Sequence, residues 1–446
     1  AASDVYKRQI MNNIIAQLQM IIDRIYLGHA NDLYMSALGN VSSPVWTTMS
    51  FCNSLVMGAS ILISQSVGAE KREDIGEYAG AMLKYNNIIP IFLCFFWMIF
   101  PKPVFMILGV SDNVMPLCLG YVRWYAPLFL LTGLGGSLGV ILQTSNYTKP
   151  LVVYGCVRSG LNIFLDWVLI FGNFGMPALG IEGAAIATVI AEYVGAIYIS
   201  VIFFTSKKLP TRPSWNDVKK GHFRSYLNAV KLGINIALED FAWNIGNLIL
   251  IRILNSINEY AAGIYTIIFG VEVLAVVIIG AIGSGTMTLT SEAAGRKDLA
   301  QYKGITLCAY AFCAIVTVVM IVGAVLFPEQ ILSLFTSDKT VIASCGGYLL
   351  MIGINLFSKS GNIIIGNAIR GSGNTKWMLF TQIFGTIWIV GVASVLVFVC
   401  RLGILGVFLA VLLDEGVRAL INFWKYLRIV KKWRESVSYT HLTLPT

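Results

Sequence analysis

LNIFLDWVLIFG, residues 161–172, sets one carboxylate, Asp166, among leucines, isoleucines, phenylalanines and a tryptophan. Such a stretch is either a core helix or a membrane span that carries an acid. The surrounding run, from Pro150 to Phe171, is long enough for a helix to cross the roughly 30 Å hydrocarbon layer of a bilayer. Similar runs recur from end to end of the chain. Twelve start near Ile10, Ser42, Gly76, Met115, Pro150, Gly183, Leu232, Tyr260, Ile305, Tyr348, Met378 and Gly403. Hydrocarbon satisfies no backbone hydrogen bonds, so a spanning run is a helix or a barrel strand. These runs do not alternate in polarity, and they read as helices.

Composition agrees. The 446 residues are 57% hydrophobic and 12% charged, with a mean hydropathy of +0.74, whereas soluble domains carry about 25% charge. The fold class is an all-α polytopic membrane protein. The eight cysteines form no CxxC and fall mostly in apolar runs, so they read as small buried hydrophobes. The histidines, His29, His222 and His441, are far apart in sequence and form no HExxH, so no metal framework is expected.

The net charge of +9 is explained by its distribution. Lys and Arg crowd the even-numbered loops and the C-terminal tail, whereas the odd-numbered loops hold only Lys102, Lys339 and Arg401. The positive-inside rule places the basic loops, both termini and the central linker in the cytoplasm, with no nucleic-acid partner. The tails themselves look foreign. DVYKRQ (4–9) and VSYTH (437–441) can be translated from one DNA tag read in opposite orientations. Residues 1–9 and 435–446 are therefore expected to be a sequencing-adapter scar, with the first span truncated.

The chain repeats itself. Gly58, Ser64, Gln65 and Gly68 correspond to Gly285, Ser291, Glu292 and Gly295, and SNYTKP (145–150) corresponds to SGNTKW (372–377). Later, Gly180, Gly183 and Glu192 correspond to Gly403, Gly406 and Glu415. Two six-helix lobes are expected, an N-lobe at 10–205 and a C-lobe at 232–434, joined by the linker 206–231. Six spans per repeat give both lobes the same topology, related by a pseudo-twofold along the membrane normal with a cavity between them, which is transporter architecture.

IIDRIYLGH (21–29), GASILISQSVGAEKRE (58–73), NIFLDWVLIFGNFGMPALGIEGAAIAT (162–188) and RGSGNTK (370–376) together resemble the multidrug and toxic compound extrusion (MATE) family. The resemblance covers nearly all of residues 10 to 434. It implies a twelve-helix, two-lobe fold that exports organic-cation or drug-like substrates against protons or sodium by alternating access. It also implies an N-lobe cation site at Asp23, Asn162, Asp166 and Thr188. A cell-membrane monomer with no cofactor beyond the coupling ion is expected.

The residues support that reading on their own. A charge at mid-bilayer costs at least about 2.5–3.5 kcal/mol and is usually functional. Asn162 and Asp166 are four apart, on one helical face, where an amide beside a carboxylate can bind a cation with it. The alternative is that Asp166 is only a structural partner for a donor such as Arg158. In the C-lobe, Glu239, Asp240, Trp243, Asn244 and Asn247 are candidates for a substrate cavity, with Trp243 offering a cation–π surface. Lys359, mid-span, stands where the sodium-coupled branch of the resembled family carries an acid. A charged lysine cannot ligate a cation, so an internal ion pair is expected with Glu272, Asp240 or Asp414. Two rival functions have identifiable marks. A lipid-linked oligosaccharide flippase would carry a strongly cationic cavity. An intramembrane transferase would carry DDxxD or a His-containing acyl motif, and neither motif occurs.

Overall fold

The computed structural model describes residues 2–108, 110–257, 261–333 and 339–442. Their side chains are described except at 2–10, 12–14, 28, 32, 35–36, 43, 255, 262–263, 266, 339–341, 343–344 and 436–442. The segments expected to be an adapter scar, 1–9 and 435–446, thus lie outside the described side chains except at Glu435. Among the described residues, twelve long helices carry the chain: α1 (Ala2–Ala30), α2 (Asp32–Gly68), α3 (Arg72–Ile99), α4 (Met115–Thr144), α5 (Lys149–Phe171), α6 (Gly180–Thr205), α7 (Phe223–Ile257), α8 (Ala261–Gly295), α9 (Leu299–Leu326), α10 (Lys339–Gly371), α11 (Thr375–Val399) and α12 (Gly403–Leu442). Among the described residues, nine of these contain stretches long and apolar enough to cross a membrane. The exceptions, α1, α7 and α12, are as long but more polar.

The chain divides into two compact units inside α7, between Ala237 and Leu238. In the first unit, one apolar cluster gathers Trp97, Phe105, Phe129 and Ile181, and a second gathers Ile63, Met82, Ile141 and Phe203. In the second unit, Leu254, Ile268, Leu349 and Phe408 form the main core. The outward faces are apolar too: Phe92, Phe204, Leu307 and Ile387 are each more than two-thirds exposed. Polar groups lie inside, with Asn162, Asp166, Thr286 and Ser360 fully buried. An apolar exterior over a polar interior is stable in lipid, where exposed apolar surface carries no penalty.

Local sequence shapes the helices that hold these groups. α5 starts with Pro150 in its first turn, where proline's missing N–H would be unpaired anyway. It ends at Gly172, whose φ of +76° gives the left-handed cap that glycine adopts without strain. The loop then folds back, and the Leu179 amide donates to the Leu169 carbonyl at 2.8 Å. α6 leaves beside α5 so closely that a Cβ on Gly183 would lie 2.6 Å from the Leu169 carbonyl oxygen.

Candidate functional site

In the first unit, α5 presents Ser159, Asn162 and Asp166 on one face, spaced by three and four residues. α1 brings Gln19 and Asp23, also four apart, and α6 brings Thr188. Gln19 joins them: its amide nitrogen donates to Asn162 Oδ1, and its Oε1 accepts from Ser159 Oγ at 2.8 Å. Asn162 Nδ2 donates to Thr188 Oγ1 at 3.3 Å, and that hydroxyl donates to the Ala184 carbonyl at 2.9 Å. One amide chain therefore ties α1, α5 and α6.

Asp166 lies at the end of this chain with 0% of its surface exposed. Among the described residues, no donor reaches either of its carboxylate oxygens. The Asp23 carboxyl faces it, and Asp23 Oδ1 is likewise buried without a donor. Two carboxyls in such contact hold together only when a proton or a cation lies between them, because an isolated buried carboxylate is costly. The stacked rings of Tyr121 and Tyr125, 5.6 Å apart, come from α4, and Tyr121 lies within the field of both carboxyls. Arg158, one turn earlier than Asn162 on α5, does not serve Asp166. Its Nη1 is 2.7 Å from Glu192 Oε1, and Tyr154 donates to the same carboxylate. The structural-partner alternative for Asp166 therefore fails for Arg158, since its charge is already matched.

In the second unit, Lys359 Nζ donates to Glu272 Oε1 at 2.7 Å and lies 4.0 Å from Glu415 Oε1. On α12, Arg418 clamps Asp414 through Nε, at 3.0 and 3.1 Å, and through Nη2, at 2.7 Å. The same Nη2 reaches Glu415 Oε1 at 3.1 Å, and Nη1 donates to Gln382 Oε1 at 2.8 Å. Asn362 Nδ2 adds a 2.6 Å bond to Glu415 Oε2. Three carboxylates thus face two cations along the wall of a small cavity of about 40 Å³. Trp243, Tyr265, Phe269 and Phe408 supply its aromatic surface, and Lys359 lies 5.8 Å from the Phe269 ring centre.

The five candidate cavity residues on α7 separate in space. Trp243 and Asn247, four apart, line this cavity, whereas Glu239, Asp240 and Asn244 are not among its lining residues. Glu239 shares the Trp243 face, but Arg370 at the end of α10 claims its carboxylate, and Arg370 Nη1 also reaches Asn367 Oδ1 at 3.2 Å. A buried acid already neutralised by a neighbouring arginine offers no free charge to a ligand. Asn244 Nδ2 turns back to the Asp240 carbonyl at 2.7 Å. The acids at the cavity are instead Glu272, Asp414 and Glu415. Sequence reasoning names Asp414 only as a possible partner of Lys359 and Glu415 only as the repeat counterpart of Glu192. It passed over Gln19 and Ser159, although Gln19 sits one turn before Asp23. Arg418, four residues after Asp414 and three after Glu415, carried a similar local signal.

Comparison with known proteins gives the family and the fold. The MatE family model matches residues 9–168 and 235–397. The probable multidrug resistance protein NorM of Thermotoga maritima is 27% identical over 96% of this chain and 91% of its own length. The uncharacterized transporter YisQ of Bacillus subtilis is 24% identical over 93% and 90%. A crystal structure of MATE in the bent conformation superposes with a TM-score of 0.90 at 18% identity, covering 98% of this chain and 96% of that one. An outward-facing MATE-family multidrug transporter superposes at 0.87, with 20% identity over 97% and 96%. These neighbours show the fold, twelve membrane helices in two six-helix lobes, and the family model spans both halves of the chain. The chain belongs to the MatE family of membrane transporters and is not an enzyme.

Proposed function

We propose that this transporter exports organic-cation, drug-like substrates in exchange for protons or sodium ions, and that the carboxyl pair Asp23–Asp166 loads the coupling ion. The carrying observation is Asp166, fully buried with both oxygens lacking a donor among the described residues, beside a second carboxyl. A neutralising ion there removes the charge that burial penalises, and releasing it restores that charge. Asn162 and Thr188 supply further oxygens next to the pair for a cation without a proton. Gln19 transmits the change between helices, because it bonds α1 to α5 at Asn162 and Ser159.

The multidrug resistance names of the relatives support small-molecule efflux. Organic cations suit a cavity whose three carboxylates, Glu272, Asp414 and Glu415, outnumber the two cations paired with them, Lys359 and Arg418, with ring surfaces nearby. We place the linker and both chain ends in the cytoplasm on the distribution of Lys and Arg.

The test is efflux of a fluorescent cation from everted membrane vesicles, with a proton gradient or a sodium gradient imposed separately. Wild type is expected to transport uphill under one of them, and Asp166→Asn under neither. Uphill transport by Asp166→Asn equal to wild type would overturn the assignment of the pair.

A further inference from the structure

Between α6 and α7, residues 206–222 do not form a loose tether. Thr211 is 1% exposed, and its Oγ1 donates to the Ile141 carbonyl at 2.9 Å. Arg212 caps the end of α6, with Nη1 at 2.9 Å from the Phe203 carbonyl and 3.2 Å from that of Phe204. The short helix Trp215–Lys220 opens with a capping box in which Ser214 and Asp217 satisfy each other's backbone amides. It packs on α3 so tightly that a Cβ on Gly80 would lie 2.5 Å from the Asp217 carbonyl oxygen, and one on Gly221 2.7 Å from the Ala81 nitrogen. The result is a fixed shelf at the point where two membrane helices leave the hydrocarbon.

What the shelf shows to its surroundings is basic and aromatic. Lys207, Lys208, Lys219 and Lys220 are all exposed, and no carboxylate among the described residues lies within ion-pair distance of them. Asp217 is the single acid in residues 206–231, and it is held by Ser214 at 2.7 and 2.8 Å. Trp215 is 73% exposed, with Lys219 Nζ 6.0 Å from its ring centre. Indole rings favour the headgroup region, where one part of the ring is apolar and the other polar. Basic side chains beside such a ring attract anionic lipid. A leaflet is also the one acidic surface permanently within reach of the ends of two spans.

We propose that this shelf binds anionic phospholipid headgroups, with Trp215 seated among them and the four lysines contacting the phosphates. The site is separate from the carboxyl pair and does not rest on the transport reading.

Quenching by brominated lipids tests it. Full-length protein is reconstituted in phosphatidylcholine vesicles holding equal mole fractions of either brominated phosphatidylglycerol or brominated phosphatidylcholine. The difference between wild type and Trp215→Phe isolates the Trp215 signal. The expected result is enrichment of the anionic lipid at Trp215 by about fivefold or more, since one basic residue near a charged leaflet is worth about that factor. The preference should fall as salt rises. It should vanish in the fourfold Lys→Gln variant of positions 207, 208, 219 and 220, and persist in the fourfold Lys→Arg variant. Equal quenching by the two lipids would overturn the proposal, as would an undiminished preference in the Gln variant. Protection of Trp215 by soluble polyglutamate, with no difference between the lipids, would assign the shelf to an acidic polypeptide and also overturn it.

Discussion

Asp166 and Lys359 solve the same problem in different ways. Each puts an ionisable side chain inside a largely apolar helix bundle, and each needs a compensating partner. Lys359 has a built-in one, Glu272 at 2.7 Å; Asp166 has another acid. This difference gives the two residues opposite mutational signatures. Lys359→Met strands the Glu272 carboxylate, and breaking a buried pair on one side costs about 3–5 kcal/mol. A marked fall in the thermal unfolding midpoint of the purified protein is expected, with most of it restored by the double variant Lys359→Met, Glu272→Leu. Removing one acid from the Asp23–Asp166 pair should stabilise the fold or leave it unchanged, and should abolish coupling. If the two carboxyls act as one ion-loading unit, Asp23→Asn, Asp166→Asn and the double variant lose uphill efflux to the same extent, because residues sharing one interaction are not additive. Losses that multiply would show two independent sites.

At the scale of the element, the α5–α6 hairpin sets the geometry. Gly172 turns the chain, Gly183 lets the two backbones approach, and that approach brings Asn162 within 3.3 Å of Thr188. Gly183→Val would place branched carbons against the Leu169 carbonyl. Overpacking of this kind typically costs about 1–3 kcal/mol, so a lower unfolding midpoint is expected. Efflux should fall with it, since Thr188 moves with α6; a variant with unchanged stability and transport would show that the close approach is dispensable. Much of the hairpin was legible in sequence: the i, i+4 spacing of Asn162 and Asp166, the glycines and the apolar run. The partner helix α1 was legible only in part. Asp23 stood out as a charge in an apolar run, but Gln19, a neutral amide, gave no comparable signal.

At the scale of the whole molecule, exchange stoichiometry follows from charge. A unit charge falling through 100 mV is worth about 2.3 kcal/mol, roughly a fifty-fold gradient at 1.36 kcal/mol per decade. Exchange of one monovalent ion for one monovalent organic cation moves no net charge. A membrane potential imposed alone should then drive no export, and only the chemical gradient of the coupling ion should. Export driven by a potassium-diffusion potential alone would mean that more than one ion enters per substrate cation. Measuring initial rates in vesicles under each condition separates the two cases.

The sequence by itself determined the class of molecule: long apolar runs, basic residues confined to alternate loops, and two matching halves. Those features depend on the chain's neighbours in sequence and on the bilayer, and both can be read in one dimension. It also exposed Asp23, Asp166 and Lys359, because a charge inside an apolar run has few innocent explanations. Only the tertiary structure decided who meets whom. It gave Glu239 to Arg370, Arg158 to Glu192 and Lys359 to Glu272, and it left Asp166 facing Asp23. These three ion pairs are settled by distances of a few ångströms between residues that are 34 to 131 positions apart in the chain, and helical periodicity says nothing about that separation.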